Sequence, residues 1–295
     1  MFKHIIKGLL YLTFMWSFLL PVSAENSAGT LPDITADSAI VINADTGTVY
    51  YEKNADKREY PASMTKVMTL LLSLEKNHPG HIVSVSHHAA DVESTSLHTG
   101  EWIAVDQLNY LMMLRSDNGA ATALGEYIGG NISEFAQMMN DKAHALGATN
   151  THFVNANGMP DENHYSTARD MSVIVRYGMS LPAFRKIVST KSCGITFTRP
   201  QTTRLLYNTN KLLFTYDGAI GVKTGWTKAA KGCLASAATR NNITLIAIVM
   251  HSATAESRFT ESAALLDYGF AKAQSETQND LNNTICSGRR KIKAA

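Results

Sequence analysis

Cysteine is scarce in this chain of 295 residues: three, at positions 193, 233 and 286, with no CxxC pair among them. Such spacing, without ligand-type neighbours, argues against a metal site. Cys233 lies in an apolar, strand-like run and reads as core; Cys193 and Cys286 are the two a disulfide could join, which spacing does not decide. One sign of charge is not in excess either, with 27 basic and 25 acidic side chains and no basic block in the body of the chain. That balance argues against a nucleic-acid partner. An apolar run of the roughly 20 residues needed to cross a bilayer is missing as well. No internal repeat is visible, which excludes solenoid and propeller architectures. The histidines, His152 and His164 included, form no metal-spaced cluster and read as structural, and the paired methionines Met112–Met113 and Met138–Met139 read as core packing.

What is present begins with an export signal. Lys3 and Lys7 give a basic start, an apolar run covers 9–20, Pro21 ends it, and Val22-Ser23-Ala24 offers small residues for cleavage after Ala24. An uncleaved N-terminal anchor is the alternative. Those two lysines removed, the remaining basic count equals the acidic one. Residues 25–272 are long enough for a sizeable core, and a hydrophobic content of 45% fits a folded chain. Residues 273–295 are polar, then basic over 289–293, and are expected to form a disordered tail.

Within 25–272, residues 38–52 predict two strands joined at Asp45-Thr46-Gly47, a hairpin turn signal. Tyr60-Pro61-Ala62-Ser63 precedes a helix-period run over 67–74, with proline at the entry. Helices are predicted at 105–114, 118–128 and 133–146, the last ending at Gly147. A loop follows over 148–166, rich in Asn, Gly, Asp and Pro. Thr167-x-x-Asp170 is a capping box that opens a helix over 168–179. Strands are predicted at 218–224, 232–239 and 243–251, then a final helix over 255–272 with Leu265, Leu266, Tyr268 and Phe270 for packing. Strands at both ends with helices between predict an α/β (α+β) fold: one antiparallel sheet built from both termini, packed with a helical cluster.

Three short elements carry chemistry. In Ser63-Met64-Thr65-Lys66, Lys66 lies three residues along the same helical face as Ser63. A free hydroxyl is a poor nucleophile and needs a base; a lysine serves once burial and nearby positive charge populate its neutral amine. Alone, the pattern describes equally a capping serine and a solvated lysine. Ser116-Asp117-Asn118 falls at a junction between two helices, where Ser116 can relay a proton and Asn118 can hold a substrate amide; alone, it describes a helix cap. Lys223-Thr224-Gly225 closes a strand. Alternation sends Lys223 and Thr224 to opposite faces, Gly225 allows close backbone approach, and an extended peptide can pair with such an edge. Positive charge at Lys223 favours a substrate carboxylate.

The three in this order are the signature shared by penicillin-binding proteins and class A β-lactamases. The chain resembles the D-alanyl-D-alanine carboxypeptidases among the low-molecular-mass penicillin-binding proteins. The resemblance spans roughly 33–272 and includes IVINADTGTVYYEKNADKREYPASMTKVMT, MMNDKAHALGATNTHFVNANGMPDENHYSTARDM and DGAIGVKTGWTKAAKGCLASAATR. It implies that Ser63 attacks the carbonyl between two terminal D-alanines of a peptidoglycan stem peptide, with Lys66 as base. Ser116, Asn118 and Lys223 complete the catalytic set. Lys223, Thr224, Gly225, Trp226 and Arg258 are the candidate substrate-binding residues, and the resemblance implies an oxyanion between the backbone N–H groups of Ser63 and Trp226. It also implies that β-lactam antibiotics acylate Ser63 as covalent inhibitors. No cofactor and no metal are implied. The protein would work in the periplasm or on the extracellular face of the cytoplasmic membrane.

Some positions depart from the family pattern. Asp117 stands where carboxypeptidases often have glycine, Trp226 follows the third motif where histidine or another residue stands in relatives, and Thr209 occupies a spot where some relatives have a basic residue. Arg258 is a candidate to compensate for Thr209. The chain ends soon after the matched region, which leaves membrane attachment open. Rival activities are a D,D-endopeptidase cutting cross-links, a class A-like β-lactamase and a catalytically silent peptidoglycan-binding module. The β-lactamase would need a deacylating glutamate in an ExxxN pattern; the nearest candidate, Glu162, has Ser166 at the fourth place.

Overall fold

The computed structural model describes residues 30–76 and 80–293, with backbone alone for 280–293, so the expected signal at 1–24 lies outside the described residues. The chain opens with the predicted hairpin, β1 (Ser38–Asn43) and β2 (Val49–Lys53). Asn43 Oδ1 accepts the backbone N–H groups of Asp45 and Thr46, which closes the turn locally. One 3-10 turn, Ala62–Thr65, leads into α1 (Lys66–Lys76). Short elements follow: β3 (Ile82–Ser84), α2 (His87–Asp91) and β4 (Trp102–Ala104). Then come α3 (Val105–Arg115), α4 (Asn118–Gly129), α5 (Ile132–Ala145), α6 (Ala168–Ser180) and α7 (Pro182–Ser189). The last third holds β5 (Ser192–Arg199), β6 (Thr202–Tyr207), α8 (Leu212–Thr215), β7 (Ala219–Thr227), β8 (Lys231–Arg240), β9 (Ile243–Ser252) and α9 (Ser257–Lys293).

Five strands form an antiparallel sheet in the order β2-β1-β9-β8-β7, so both ends of the chain share one sheet as expected. Its central strands bury both faces, and alternate residues go to different cores. From β9, Ile246, Ile248 and Met250 face the helical cluster, while Leu245, Ala247 and Val249 face α9. From α9, Leu265, Leu266 and Phe270 are buried against that second face. The Tyr268 ring meets Tyr51 edge-on, with centroids 5.9 Å apart. The sheet is thus covered by helices on both sides.

Two expectations need correcting. A second antiparallel sheet, β3-β4-β5-β6, was not anticipated; its inward residues Val83, Ile103, Ile195, Phe197 and Leu206 extend the main core. The final helix does not stop near 272. It runs to Lys293, so the segment expected as a disordered tail is helical through that residue. Between 271 and 287 the chain contains neither Gly nor Pro, and nothing in that stretch breaks the helix.

Candidate active site

The position of Ser63 follows from how the chain enters α1. Ala62 takes a left-handed φ of 48°, and Ala62–Thr65 then makes one 3-10 turn. Residues three apart eclipse in that geometry, which stacks Lys66 over Ser63. Lys66 Nζ lies 2.9 Å from Ser63 Oγ. Two further partners surround the amine: Asn118 Oδ1 at 2.7 Å and the Asn157 carbonyl at 2.6 Å.

Asn118 is delivered by the junction foreseen between α3 and α4. Ser116 takes φ 61° and ends α3 in the left-handed region, while Asp117 is extended and caps α4 by accepting Ala120 N–H. This two-residue link turns the chain sharply, which places Ser116 and Asn118 in the same cleft. Asn157 belongs to the loop 148–166, and that loop is braced internally. Asn155 Oδ1 accepts the N–H of Gly158, and Asn157 Oδ1 accepts that of Met159. Close to the Ser63 turn, Val154 N–H donates to His164 Nδ1, so His164 Nε2 carries the proton and donates to Thr65 Oγ1 at 2.7 Å. Burial pushes the His164 imidazole down to about 4, and it stays neutral at physiological pH.

Lys66 is 0% exposed and Lys223 is 1% exposed, which decides their electrostatics. Burial lowers Lys66 to about 7, against an opposing pull from the Asp117 carboxylate. About half of the sites then hold a neutral amine at pH 7, against roughly one in three thousand for an ordinary lysine. A neutral amine has two hydrogens and one lone pair. The Asn157 carbonyl can only accept. Asn118 Oδ1 can only accept too, and its Nδ2 is committed to the Glu93 carbonyl at 2.7 Å. The two hydrogens go to those oxygens, and the lone pair is left facing Ser63, whose hydroxyl can donate to it. This is the arrangement of a base.

Ser63, Ser116, Asn118, Thr224, Gly225, Trp226 and Arg258 line one cavity of about 590 Å³. A Cβ on Gly225 would stand 3.2 Å from Ser63 N, so β7 passes directly beside Ser63. Lys66 and Lys223 do not line this cavity but lie behind it. Lys223 Nζ donates to the Thr224 carbonyl at 2.9 Å. Burial, then the positive charges of Lys66 and Arg258, hold the Lys223 ammonium well below the usual lysine range. Lys223 therefore lies behind the cavity wall, and the groups that face the cavity beside it are Thr224, Thr209 and Arg258. Thr209 Oγ1 is 3.0 Å from Thr224 Oγ1, and Arg258 Nη1 donates to the Gly225 carbonyl at 2.5 Å. Arg258 is no plain surface arginine: it is part-buried, and its Nε has no hydrogen-bond partner.

A profile for peptidase S11, D-alanyl-D-alanine carboxypeptidase, matches residues 24–254. The chain belongs to that family. The D-alanyl-D-alanine carboxypeptidase DacF of Bacillus subtilis (strain 168) is 34% identical to it over 290 residues, covering 95% of this chain and 73% of the relative. The D-alanyl-D-alanine carboxypeptidase of Streptomyces sp. (strain K15) is 35% identical over 263 residues, 83% of this chain and 90% of the relative. The crystal structure of the Streptomyces K15 DD-transpeptidase superposes with a TM-score of 0.78 at 34% identity, covering 82% of this chain and all of that one. Membership of the D-alanyl-D-alanine carboxypeptidase family makes the protein a serine-type peptidase hydrolase and accounts for the mixed fold.

Three contributors to this carboxypeptidase-family site went unassigned in the sequence: the Asn157 carbonyl, the Glu93 carbonyl that orients Asn118, and the buried Asp117 carboxylate. The first two are backbone atoms, which no side-chain pattern encodes. Glu162, the nearest match to a deacylating glutamate, is exposed and does not line the cavity. Cys233 is buried as expected, and burial pushes its thiol up to about 12. Among the described residues one cluster joins a histidine to two acids. His251, Glu59 and Asp37 place ligand-type atoms within 4.8 Å of one another, away from the cavity. Lys57 Nζ already pairs with both carboxylates, 2.6 Å from Glu59 and 3.2 Å from Asp37. Among the described residues no helix is long and apolar enough to cross a membrane.

Proposed function

We propose that this cavity removes the terminal D-alanine from peptidoglycan stem peptides ending in D-Ala-D-Ala, through an acyl-enzyme on Ser63. The observation that carries the reading is the buried Lys66 amine, with two acceptors for its hydrogens and its lone pair left for Ser63 Oγ. Lys66 takes the hydroxyl proton as Oγ attacks the penultimate carbonyl carbon. The carbonyl becomes an oxyanion held by the backbone N–H groups of Ser63 and Trp226. Collapse breaks the peptide bond. The leaving D-alanine nitrogen takes a proton from Lys66, relayed by the Ser116 hydroxyl. Water then attacks the ester, Oγ regains its proton, and the shortened peptide leaves.

The edge of β7 from Thr224 to Trp226 offers an extended peptide backbone pairing, and Arg258 with the two threonine hydroxyls receives its terminal carboxylate. Lys223 contributes from behind the wall, through the Thr224 carbonyl and the local field. A β-lactam presents the same carbonyl in a ring, so its acyl-enzyme holds the leaving group tethered. The reading places the protein outside the cytoplasm, released by cleavage after Ala24.

Intact-mass analysis of the protein treated with a penicillin tests the nucleophile. A single adduct on the wild-type chain and none on Ser63→Ala is expected. Stoichiometric D-alanine release from a stem pentapeptide tests the reaction. An unlabelled wild-type protein, or release that survives Ser63→Ala, would end the proposal.

A further inference from the structure

The reaction above has no use for Asp117, yet this carboxylate is 4% exposed and every one of its lone-pair positions is taken. Oδ1 accepts from Thr95 Oγ1 and Ala120 N, both at 2.9 Å. Oδ2 accepts from Ser96 N at 2.7 Å and Ser96 Oγ at 2.9 Å. Two of these donors belong to the same loop residue, a third to its neighbour. The loop that Asp117 grips, residues 93–97, in turn supplies the acceptors for Asn118: Glu93 O for its Nδ2 and Ser94 O, at 3.3 Å, for its backbone N–H. The contact is close throughout. A Cβ on Gly119 would stand 2.1 Å from Thr95 Oγ1 and 2.4 Å from the Ala89 carbonyl.

We propose that Asp117 is a positioning residue for the serine–lysine pair: it clamps the 93–97 loop, and the loop decides which end of the Asn118 amide meets Lys66. Glu93 O demands the amide nitrogen, which leaves Oδ1 for Lys66. With the amide reversed, its NH2 would face the amine and claim the lone pair that Ser63 needs. The inference rests on the function proposed above and names how its base is aimed.

A second effect of the same residue supplies a distinctive readout. The charged or titratable groups facing Lys66 are Asp117 from the α3–α4 junction, Lys223 from β7 and His164 from the 148–166 loop. Asp117 is the one among them that favours the ammonium. Asparagine at 117 cannot reproduce the clamp, because each carboxylate oxygen faces a backbone N–H that cannot turn away. Asp117→Asn therefore removes both the clamp and the charge, whereas a Thr95→Val, Ser96→Ala double variant removes two hydroxyl tethers and keeps the charge.

The experiment follows acylation of Ser63 by a fluorescent penicillin in stopped flow, from pH 5 to 9, with thermal melting of each variant. For Asp117→Asn, acylation about tenfold slower is expected, with non-covalent affinity changed by less than about threefold and the acid-side midpoint moved below its wild-type position. The double variant should be slowed, with its midpoint unmoved. A folded Asp117→Asn protein with the wild-type rate and midpoint would overturn the proposal, as would a loss confined to affinity. Should Asp117→Asn fail to fold, the double variant decides: folded and acylating at the wild-type rate, it overturns the clamp. Failure of the wild-type chain to acylate at all sinks the proposed function instead, so the two failures are distinct.

Discussion

Removing the amine at position 66 is the most direct perturbation of this site. Lys66→Ala deletes the proposed base, held 2.9 Å from Ser63 Oγ, and the neighbouring Asn118 and Asn157 oxygens offer no substitute, since neither can take a proton at neutral pH. A positioned general base contributes roughly 10²–10⁴ in rate. Depression of Lys66 from 10.5 to about 7 raises the neutral fraction at pH 7 about a thousandfold, which agrees with the middle of that range. Acylation of Ser63 by a fluorescent penicillin should therefore fall about a thousandfold. Lys66→Arg keeps the charge but holds its proton at every accessible pH, so it should fall as far. In the wild-type chain the rate should climb about tenfold per pH unit below 7 and level off above it. The alanine variant also strands two buried acceptors, at about 1–3 kcal/mol each, so circular dichroism must accompany the kinetics. A folded Lys66→Ala acylating within about threefold of wild type would refute the reasoning, as would a wild-type rate flat from pH 5 to 8.

Other perturbations read other parts of the molecule. Gly158 has φ 87° and a Cβ there would stand 1.9 Å from the Ala62 carbonyl, so Gly158→Ala should displace the Asn157 carbonyl from Lys66 and cost about 3 kcal/mol or more; a wild-type melting temperature and acylation rate would contradict this. Trp226 is 55% exposed, so Trp226→Ala should leave stability within about 0.5 kcal/mol and raise KM for a stem pentapeptide; an unchanged KM would remove it from the substrate surface. His164 is depressed when folded, so the unfolded chain binds the extra proton between about 6.5 and 4. Stability from this group is intact above pH 6.5 and is lost as pH falls towards 4, about 3 kcal/mol in all. Urea unfolding of wild type and His164→Asn at pH 7, 5 and 4 checks it: the gap between them should narrow with acid, and a constant gap would refute it.

How far this was legible in the sequence depended on whether side-chain pattern or backbone placement carried the information. Long periodic segments announced themselves: the helices beginning at Val105, Asn118, Ile132 and Ala168 lie within a residue or two of expectation. Strand alternation correctly separated Lys223 from Thr224, and the structure puts one behind the cavity wall and the other on it. It did not say which face was open. The second sheet was hidden because β3 and β4 have three residues each, too few for a period, and outward-facing threonines break the apolar signal of β5 and β6. Asp117 is visible in the sequence as an unusual choice. Its work is not, since the partners at 95 and 96 join it only once the loop has folded back over α4.

The order of strands in the main sheet has a consequence for biosynthesis. β1 joins the body of the sheet through β9, some two hundred residues later in the chain, and the motif on β7 reaches β1 only across β8 and β9. The turn bearing Ser63 leaves the ribosome early and packs directly on β7, yet within the sheet β7 is joined to β1 only once the closing strand is in place. A chain that has not yet made β9 therefore lacks the completed sheet behind Lys223, and a covalent label on Ser63 is expected only after that strand has been made.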